Sequence, residues 1–325
     1  MLRKQGKIGS TILVIGSGAS MKTFKDAVAK YGTLGFQFLY FEWAFSSKNS
    51  LNEALQRIKK TIASQGIKKV VVAIDNRRGT LPVDLLLALR VEGIEVVKAV
   101  SFYEQIYGKM WVESLNPSDL IFGEGFKRMA LIGFGKRILD VTAAFLGLML
   151  SLPFFLILPL LIKMDSRGPV FYRQERVGAE GVLFDVFKFR SMCQNAEAAT
   201  GAVWAKEGDP RVTGLGRWLR KLRLDELPQL FNVLRGEMSF VGPRPERQVF
   251  VTDLEECIPY YALRHTVKPG LTGLAQVKYR YGATKEDALE KHQYDLYYVK
   301  HLSLFFDLSI MFATVRVVLR GLGAR

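Results

Sequence analysis

From Val141 to Ile162 the chain runs about 22 residues without a charged side chain, "VTAAFLGLMLSLPFFLILPLLI". As a helix this stretch would be about 33 Å long, enough to reach across the hydrocarbon core of a bilayer. A soluble core helix rarely stays apolar on every side for so long, so the run ties the fold to a membrane. Proline interrupts it at Pro153, close behind Ser151, and again at Pro159. A proline inside a helix removes a hydrogen bond and bends the axis. Both flanks are basic: Lys127, Arg128, Lys136 and Arg137 precede the run, and Lys163, Arg167, Arg173 and Arg176 follow it. Positive charge favours the cytoplasmic side. With equal bias at both ends, a segment that breaks near Pro153, enters and returns satisfies all three observations. A plain crossing also stays open.

The formal net charge is +15 over 325 residues. Such basicity points to an anionic partner, whether nucleic acid, an anionic membrane surface or a phosphorylated substrate. Nucleic-acid binding would explain the charge but not the apolar run. The two cysteines, Cys193 and Cys257, sit in no CxxC or Cys/His cluster. A disulfide framework is excluded, structural zinc is disfavoured, and two free thiols fit a reducing cytoplasm. The apolar stretch after the basic start of the chain is too short for a signal-peptide core.

Ahead of the long run, strands alternate with helices. "TILVIG" (11–16), "FQFLYF" (36–41), "KKVVVAID" (68–75) and "IEVVKA" (94–99) read as strands. "KTFKDAVAKYG" (22–32), "SLNEALQRIKKTIASQG" (50–66) and "PVDLLLALRVEG" (82–93) read as helices. This alternation predicts a parallel sheet in an α/β domain. Residues 112–126 read as its exit and a linker. "GSGASM" (16–21) follows a strand and opens a helix, as a dinucleotide fingerprint does, with Glu42 at the end of the second strand. Met21 replaces the third glycine, which argues for a scaffold or regulatory role over a bound dinucleotide. At the other end of the chain, residues 301–319 read as an apolar helix with a narrow polar stripe through Ser303, Asp307 and Thr314. It suits a membrane interface or a packed core equally.

The chemistry concentrates in "LRLDELPQLFNVLRGEMSFVGPRPE" (222–246), where Asp225 and Glu226 sit among Arg220, Lys221, Arg223, Arg235 and Arg244. "DELPQLFNVL" reads as the start of a helix with Pro228 in its first turn, which would put both carboxylates at the positive end of the helix dipole. An ionised carboxylate can act as a nucleophile or hold Mg²⁺ beside a diphosphate. The arginines can take phosphate oxygens in bidentate fashion. A solvated ring of salt bridges at a helix start is the plainer reading. "FDVFKFRSM" (184–192) alternates Lys188 and Arg190 with aromatics, and "SFVGPRPE" (239–246) and "RHTVKPGLTGLAQV" (264–277) are rigid loops carrying Arg244, Arg264, His265 and Lys268. Rigid loops with basic side chains suit phosphate capture.

The run from about Phe126 to Arg325 resembles the bacterial sugar transferases, monotopic polyprenyl-phosphate phosphoglycosyl transferases. The words that carry the resemblance are "KRILDVTAAFLGLMLSLPFF", "GPVFYRQERVG", "FKFRSM", "DPRVTGLGRWLRKLRLDELPQLFNVLRGEMSFVGPRPE", "YALRHTVKPGLTGLAQV" and "YDLYYVKHLSLFFDL". The whole chain looks like the exopolysaccharide-associated subgroup with a Rossmann-like N-terminal domain. The resemblance implies an α/β chain in two parts. Residues 1–126 would be the Rossmann-like regulatory or scaffolding domain. Residues 127–325 would be a mainly α catalytic domain with a re-entrant helix hairpin over 136–163, bent at Ser151 and Pro153.

The resemblance also implies a reaction in which sugar-1-phosphate passes from a UDP-sugar to undecaprenyl phosphate and UMP leaves. Asp225 would be the nucleophile, through a phosphosugar-aspartyl intermediate, and Glu226 the Mg²⁺ ligand. Lys188, Arg190, Arg220, Arg244 and, in the neighbouring loop, Arg264 would bind phosphate. It places the chain at the cytoplasmic face of the bacterial inner membrane, with no nucleic-acid partner, and an added α/β domain that could support a homodimer. Larger relatives begin with several transmembrane helices, and no such segment precedes "TILVIG". Two rival readings stand beside this one. A membrane-anchored NAD(P)-dependent enzyme would want an intact fingerprint and a helical Tyr-xxx-Lys, whereas the one available, "YGATK" (281–285), contains Gly282. A scaffold or nucleotide sensor with a dead catalytic domain is opposed by the intact Asp225–Glu226 pair.

Overall fold

A computed structural model describes residues 10–43, 48–74, 81–126, 130–194, 196–197, 201, 203–204, 208–279, 282 and 284–319. The flanking residues Lys127 and Arg128, and Tyr281 and Ala283 of "YGATK", lie outside the described residues. The chain divides into two compact units, Met1–Asn116 and Pro117–Arg325.

The first unit alternates as expected: β1 (Thr11–Ser17), α1 (Gly18–Tyr31), β2 (Gln37–Glu42), α2 (Lys48–Gln65), β3 (Lys69–Ile74), α3 (Val83–Val91), β4 (Glu95–Lys98) and α4 (Ala99–Tyr107). The four strands are parallel in the order β2-β1-β3-β4. β1 and β3 lie inside the sheet and are buried on both faces, which is why they read as unbroken apolar runs. α1 and α4 cover one face through Phe24 and Phe102. α2 and α3 cover the other through Ile58 and Leu89. The helix α4 has no counterpart in the sequence reading, because "AVSFYEQIY" follows β4 without a glycine or proline to mark a new element. Within "GSGASM", a side chain at Gly16 would meet the Ala73 carbonyl and the methyl end of Met21. Met21 is itself core. The room a third glycine would leave is therefore filled by packing.

The second unit starts with the short α5 (Pro117–Ile121) and then α6 (Ala130–Asp165), which holds the long apolar run. α6 passes through Pro153 and Pro159 as one helix of 36 residues. Ser151 is buried and donates to the Leu148 carbonyl at 3.2 Å. Only 17% of its apolar window is buried, and it is the one helix among the described residues long and apolar enough to cross a membrane. Both halves nevertheless pack on this same unit. β5 (Phe171–Val177) and β6 (Leu183–Phe189) form an antiparallel ribbon, followed by α7 (Gly214–Lys221), α8 (Gln229–Arg235) and β7 (Ser239–Val241). Early in α6, Arg137 donates to the Val233 and Leu234 carbonyls of α8 at 2.7 and 2.6 Å, and Asp140 accepts from Ser239 and Phe240 of β7. Late in α6, Phe155, Leu158 and Ile162 pack with Phe189 of β6 and Leu219 of α7.

The remaining elements are α9 (Gln248–Cys257), β8 (Gly270–Thr272), which pairs in parallel with β7, α10 (Leu274–Lys278), α11 (Lys285–Lys300) and α12 (Leu304–Leu319). α11 opens on a capping box between Thr284 and Asp287. In α12 the polar stripe points inward: Asp307 is fully buried and Thr314 bonds Thr272, while Phe305 and Phe312 are 80% and 75% exposed.

Candidate active site

Asp225 and Glu226 stand on a 3-10 turn, Leu224–Glu226, between α7 and α8. This corrects the sequence reading, which put them in the first turn of a helix. α8 begins only at Gln229, with Pro228 as its N-cap. Arg223 adopts a left-handed conformation (φ 55°), which separates the tight turn from α7. Leu224 and Leu227 anchor the turn in the apolar cluster around Phe189 and Leu219, and Leu227 also meets the cluster around Val233. With both leucines held, the two carboxylates are drawn inside, each only 7% exposed.

Their surroundings differ. Glu226 Oε1 accepts from Arg244 Nη2 at 2.6 Å and from Lys188 Nζ at 3.3 Å, and its Oε2 lies 3.5 Å from Arg223 Nη1. Burial disfavours its charge, but Arg244, Lys188 and Arg223 outweigh burial and hold the carboxyl well below the usual range. Asp225 makes no side-chain hydrogen bond among the described residues and faces a cavity. Burial, reinforced by the charge of Glu226, pushes its carboxyl up, against the pull of Lys188, Arg220 and Arg244. Adjacent acids whose environments drive their protonation apart suit two different roles. Lys188 is itself pushed down by burial, against the attraction of Glu226.

The cavity measures about 720 Å³, within the range of small-molecule sites. It brings together all the residues expected to carry the chemistry: Asp225, Glu226, Lys188, Arg190, Arg220, Arg244 and Arg264 all line it. Their engagements sort them. Arg220 gives its Nε to Ser191 Oγ at 2.9 Å and leaves its terminal nitrogens without a partner among the described residues. Arg190 turns to the end of α6, donating to the carbonyls of Ile162, Ser166 and Arg167 at 3.2, 2.6 and 3.1 Å. Its buried Nε has no partner among the described residues. Arg264 is bound to Asp295 Oδ2 by two nitrogens at 3.1 and 2.8 Å, to Tyr261 at 2.9 Å and to the Arg244 carbonyl at 2.8 Å. Ser151 and Pro153 lie in α6 and do not line the cavity.

Sequence reasoning missed Asp295 and Tyr261, which fix Arg264, and Trp204 and Phe250, whose rings pair at 4.9 Å in the cavity wall. Asp295 is buried on α11, 31 residues from Arg264, and no local spacing signals the pair. His292, in the same wall, is pushed down by burial to about 3, which keeps it neutral.

Comparison with known proteins bears on this cavity. Residues 131–321 match the family described as bacterial sugar transferase. Over 229 residues the chain is 44% identical to a UDP-N-acetylgalactosamine-undecaprenyl-phosphate N-acetylgalactosaminephosphotransferase of Aeromonas hydrophila, covering 70% of this chain and 53% of that protein. Over 186 residues it is 44% identical to an undecaprenyl-phosphate glucose phosphotransferase of Komagataeibacter xylinus, covering 56% and 35%. Over 185 residues it is 41% identical to the exopolysaccharide production protein PSS of Rhizobium leguminosarum bv. phaseoli, covering 55% and 92%. The chain thus spans about half or less of the first two relatives and most of the third.

Proposed function

The chain belongs to the bacterial sugar transferase family, and from that premise we propose that it moves a sugar-1-phosphate from a UDP-sugar to undecaprenyl phosphate, releasing UMP and starting a glycan on its lipid carrier. The observation that carries this reading is the division of labour in the acidic pair. Glu226 is held by three cations. Asp225 faces the cavity with no hydrogen-bond partner among the described residues.

Asp225 attacks the sugar-linked phosphorus of the donor. A new P–O bond forms as the bond to UMP breaks, giving a phosphosugar-aspartyl intermediate. The phosphate of undecaprenyl phosphate then attacks the same phosphorus, which returns the Asp225 carboxylate and leaves the sugar on a lipid diphosphate. Arg220 supplies positive charge beside the reacting phosphate, and Lys188 and Arg244 keep Glu226 ionised and in place. The residues fit a cation of the Mg²⁺ type, which binds through one or two carboxylates and completes its shell with water and substrate phosphate. Among the described residues Asp225 has no side-chain hydrogen bond to surrender, and Glu226 Oε2 lies 3.5 Å from Arg223 Nη1. Mg²⁺ held by Glu226, with Asp225 beside it, would neutralise charge on the diphosphate and favour ionised Asp225.

We place the chain on the cytoplasmic face of the bacterial inner membrane, with α6 as a re-entrant helix bent at Ser151–Pro153. The two halves of α6 pack on one unit, and Lys136 and Lys163 flank its apolar run. Cysteines placed at 134 and 164 should both react with a polar thiol reagent from the cytoplasmic side only. Labelling at opposite sides would restore a plain crossing. The first unit, parallel and covered on both faces, we read as a Rossmann-like scaffold that could support a homodimer, to be measured by the mass of the chain in nanodiscs.

The reaction is tested by UMP release from a panel of UDP-sugars with Mg²⁺ and undecaprenyl phosphate, with Asp225→Asn alongside. Release that needs the lipid phosphate and is lost in the variant supports the transferase and names its sugar. No release from any donor by the folded chain overturns it.

A further inference from the structure

Arg244 reaches Glu226 from a turn after β7 that two backbone hydrogen bonds tie to β8, Gly242 N–H to the Thr272 carbonyl and Gly270 N–H to the Pro243 carbonyl, each at 2.9 Å. β7 has three residues and pairs with β8 at two positions, Ser239 with Gly270 and Val241 with Thr272. A ribbon that short does not fix a side chain by itself. Beyond it comes the turn Gly242-Pro243. Gly242 has no room for a side chain, since a Cβ there would fall on the Lys268 carbonyl.

The two carbonyls that bracket this turn are each gripped by a cation. At one side, Lys136 Nζ donates to the Val241 carbonyl at 2.9 Å, to Tyr298 Oη at 3.1 Å and to Asp307 Oδ2 at 2.7 Å. Tyr298 Oη also lies 3.0 Å from the Val241 carbonyl and 2.7 Å from Asp307 Oδ1. At the other side, Arg264 meets the Arg244 carbonyl at 2.8 Å, Tyr261 Oη at 2.9 Å and Asp295 with two nitrogens. The composition repeats: one cation, one tyrosine, one buried aspartate, one carbonyl of the turn. Asp295 is 2% exposed and Asp307 is 0% exposed. Charges buried this deeply demand their partners, so each cation has little freedom to leave its carbonyl. The parts come from four places: α6, the 3-10 turn Tyr261–Thr266, α11 and α12. One clamp therefore runs from the apolar helix α6 to the turn that presents Arg244.

We propose that Asp295 and Asp307 are positioning residues for the transfer reaction: through Arg264 and Lys136 they fix the Val241–Arg244 turn, and so the Arg244 guanidinium on Glu226. Asp307 does not line the cavity, and Asp295 lines it with its Oδ2 held by two nitrogens of Arg264. The proposal rests on the transferase reading for its kinetic test but not for its structural one.

The test is a double-mutant cycle on UMP release in nanodiscs. Asp295→Asn and Asp307→Asn are each expected to slow release by roughly 10- to 100-fold, the range for losing the outer partner of a functional side chain. In an Arg244→Ala background, where no guanidinium remains to be placed, the same changes should slow release by less than about twofold, since residues in one network do not add. Equal losses in both backgrounds would show a merely structural role and overturn the proposal. Should the aspartate variants fail to fold, Tyr261→Phe and Tyr298→Phe remove one hydroxyl each and run through the same cycle. Hydrogen exchange supplies the readout free of activity. Amides of residues 242–247 should exchange faster in both phenylalanine variants than in the parent, and unchanged exchange overturns the clamps. If the parent chain releases no UMP, the transferase reading has failed, and exchange alone decides the clamps.

Discussion

Among the described residues of the N-terminal unit, the side chains at 0% exposure are all apolar: Val14, Ile15, Phe24, Ile58, Val70, Val71 and Leu89. In the C-terminal unit Asn232, Ser239 and Asp307 reach 0% exposure beside Ala144, Val233, Met238 and Leu296, while Leu150, Met164, Phe305 and Phe312 stand outside at 75% or more. The first arrangement is that of a protein surrounded by water. The second is partly inverted. α6 turns Lys136, Arg137 and Asp140 inward to partners, and α12 does the same with Asp307 and Thr314. An apolar outer face of this extent is unstable in water and natural in lipid. The inversion also has a use. A unit that meets hydrocarbon outside can spend its polar residues inside, where they hold backbone in place beside the site. The N-terminal unit buries Lys109 too, at 1% exposure, against the rings of Tyr31 and Tyr103.

The sharpest way to separate polar residues that react from polar residues that support is Asp225→Asn. Loss of a nucleophile should reduce UMP release by more than about 10³-fold. Its melting temperature should stay level or rise, because burial and Glu226 already disfavour the charge that is removed. A melting temperature that falls with the activity would place Asp225 among the supports. Next in size is Asp307→Ala, which strands the Lys136 ammonium and should cost about 3–5 kcal/mol of unfolding free energy in detergent. Phe24→Ala should cost the N-terminal unit a comparable 3–5 kcal/mol or so, through lost packing and a cavity. It should leave UMP release within about twofold, as expected of a scaffold that forms none of the cavity wall. If Asp307→Ala costs under about 1 kcal/mol, the inverted interior is not what holds the catalytic unit together. A smaller effect, about 1 kcal/mol, is expected from Thr284→Ala, which deletes the N-cap of α11 but breaks no buried pair.

How far each unit could be read in the sequence follows the same contrast. The inner strands β1 and β3 of the first unit announced themselves, because a strand buried on both faces is a continuous apolar word bounded by glycine or charge. The long run of α6 did so by its length. The cavity residues were also legible, since Lys188, Arg220, Asp225, Glu226 and Arg244 lie in short words whose charge alternates with rigid turns. What stayed hidden is long-range. The pairing of Lys136 with Asp307 spans 171 residues, and that of Arg264 with Asp295 spans 31. A lone aspartate in "QYDLYYVK" or "LFFDLS" reads as a helix residue with an ordinary face. Only the fold shows which face is inside. The engagement of Arg190 with the end of α6 was hidden for the same reason. The placement of Asp225 on a 3-10 turn depends on one left-handed residue, Arg223, and arginine gives no warning of that conformation.

The smallest expected effect tests the outside of the inversion. Phe312→Ser should change unfolding free energy in detergent by less than about 0.5 kcal/mol, because a side chain 75% exposed loses little packing. The same substitution at Phe24, which is fully buried, would put a hydroxyl into the core of the first unit and destabilise it severely. The outward ring should matter in the one solvent where it is covered. Full transfer of such a ring from water into an apolar phase is worth about 1.5–3 kcal/mol, so flotation with anionic vesicles should weaken measurably in Phe312→Ser and more in the double change with Phe305. Flotation unchanged in both variants, with stability also unchanged, would mean that the apolar face of α12 meets neither core nor lipid. The inversion would then belong to α6 alone.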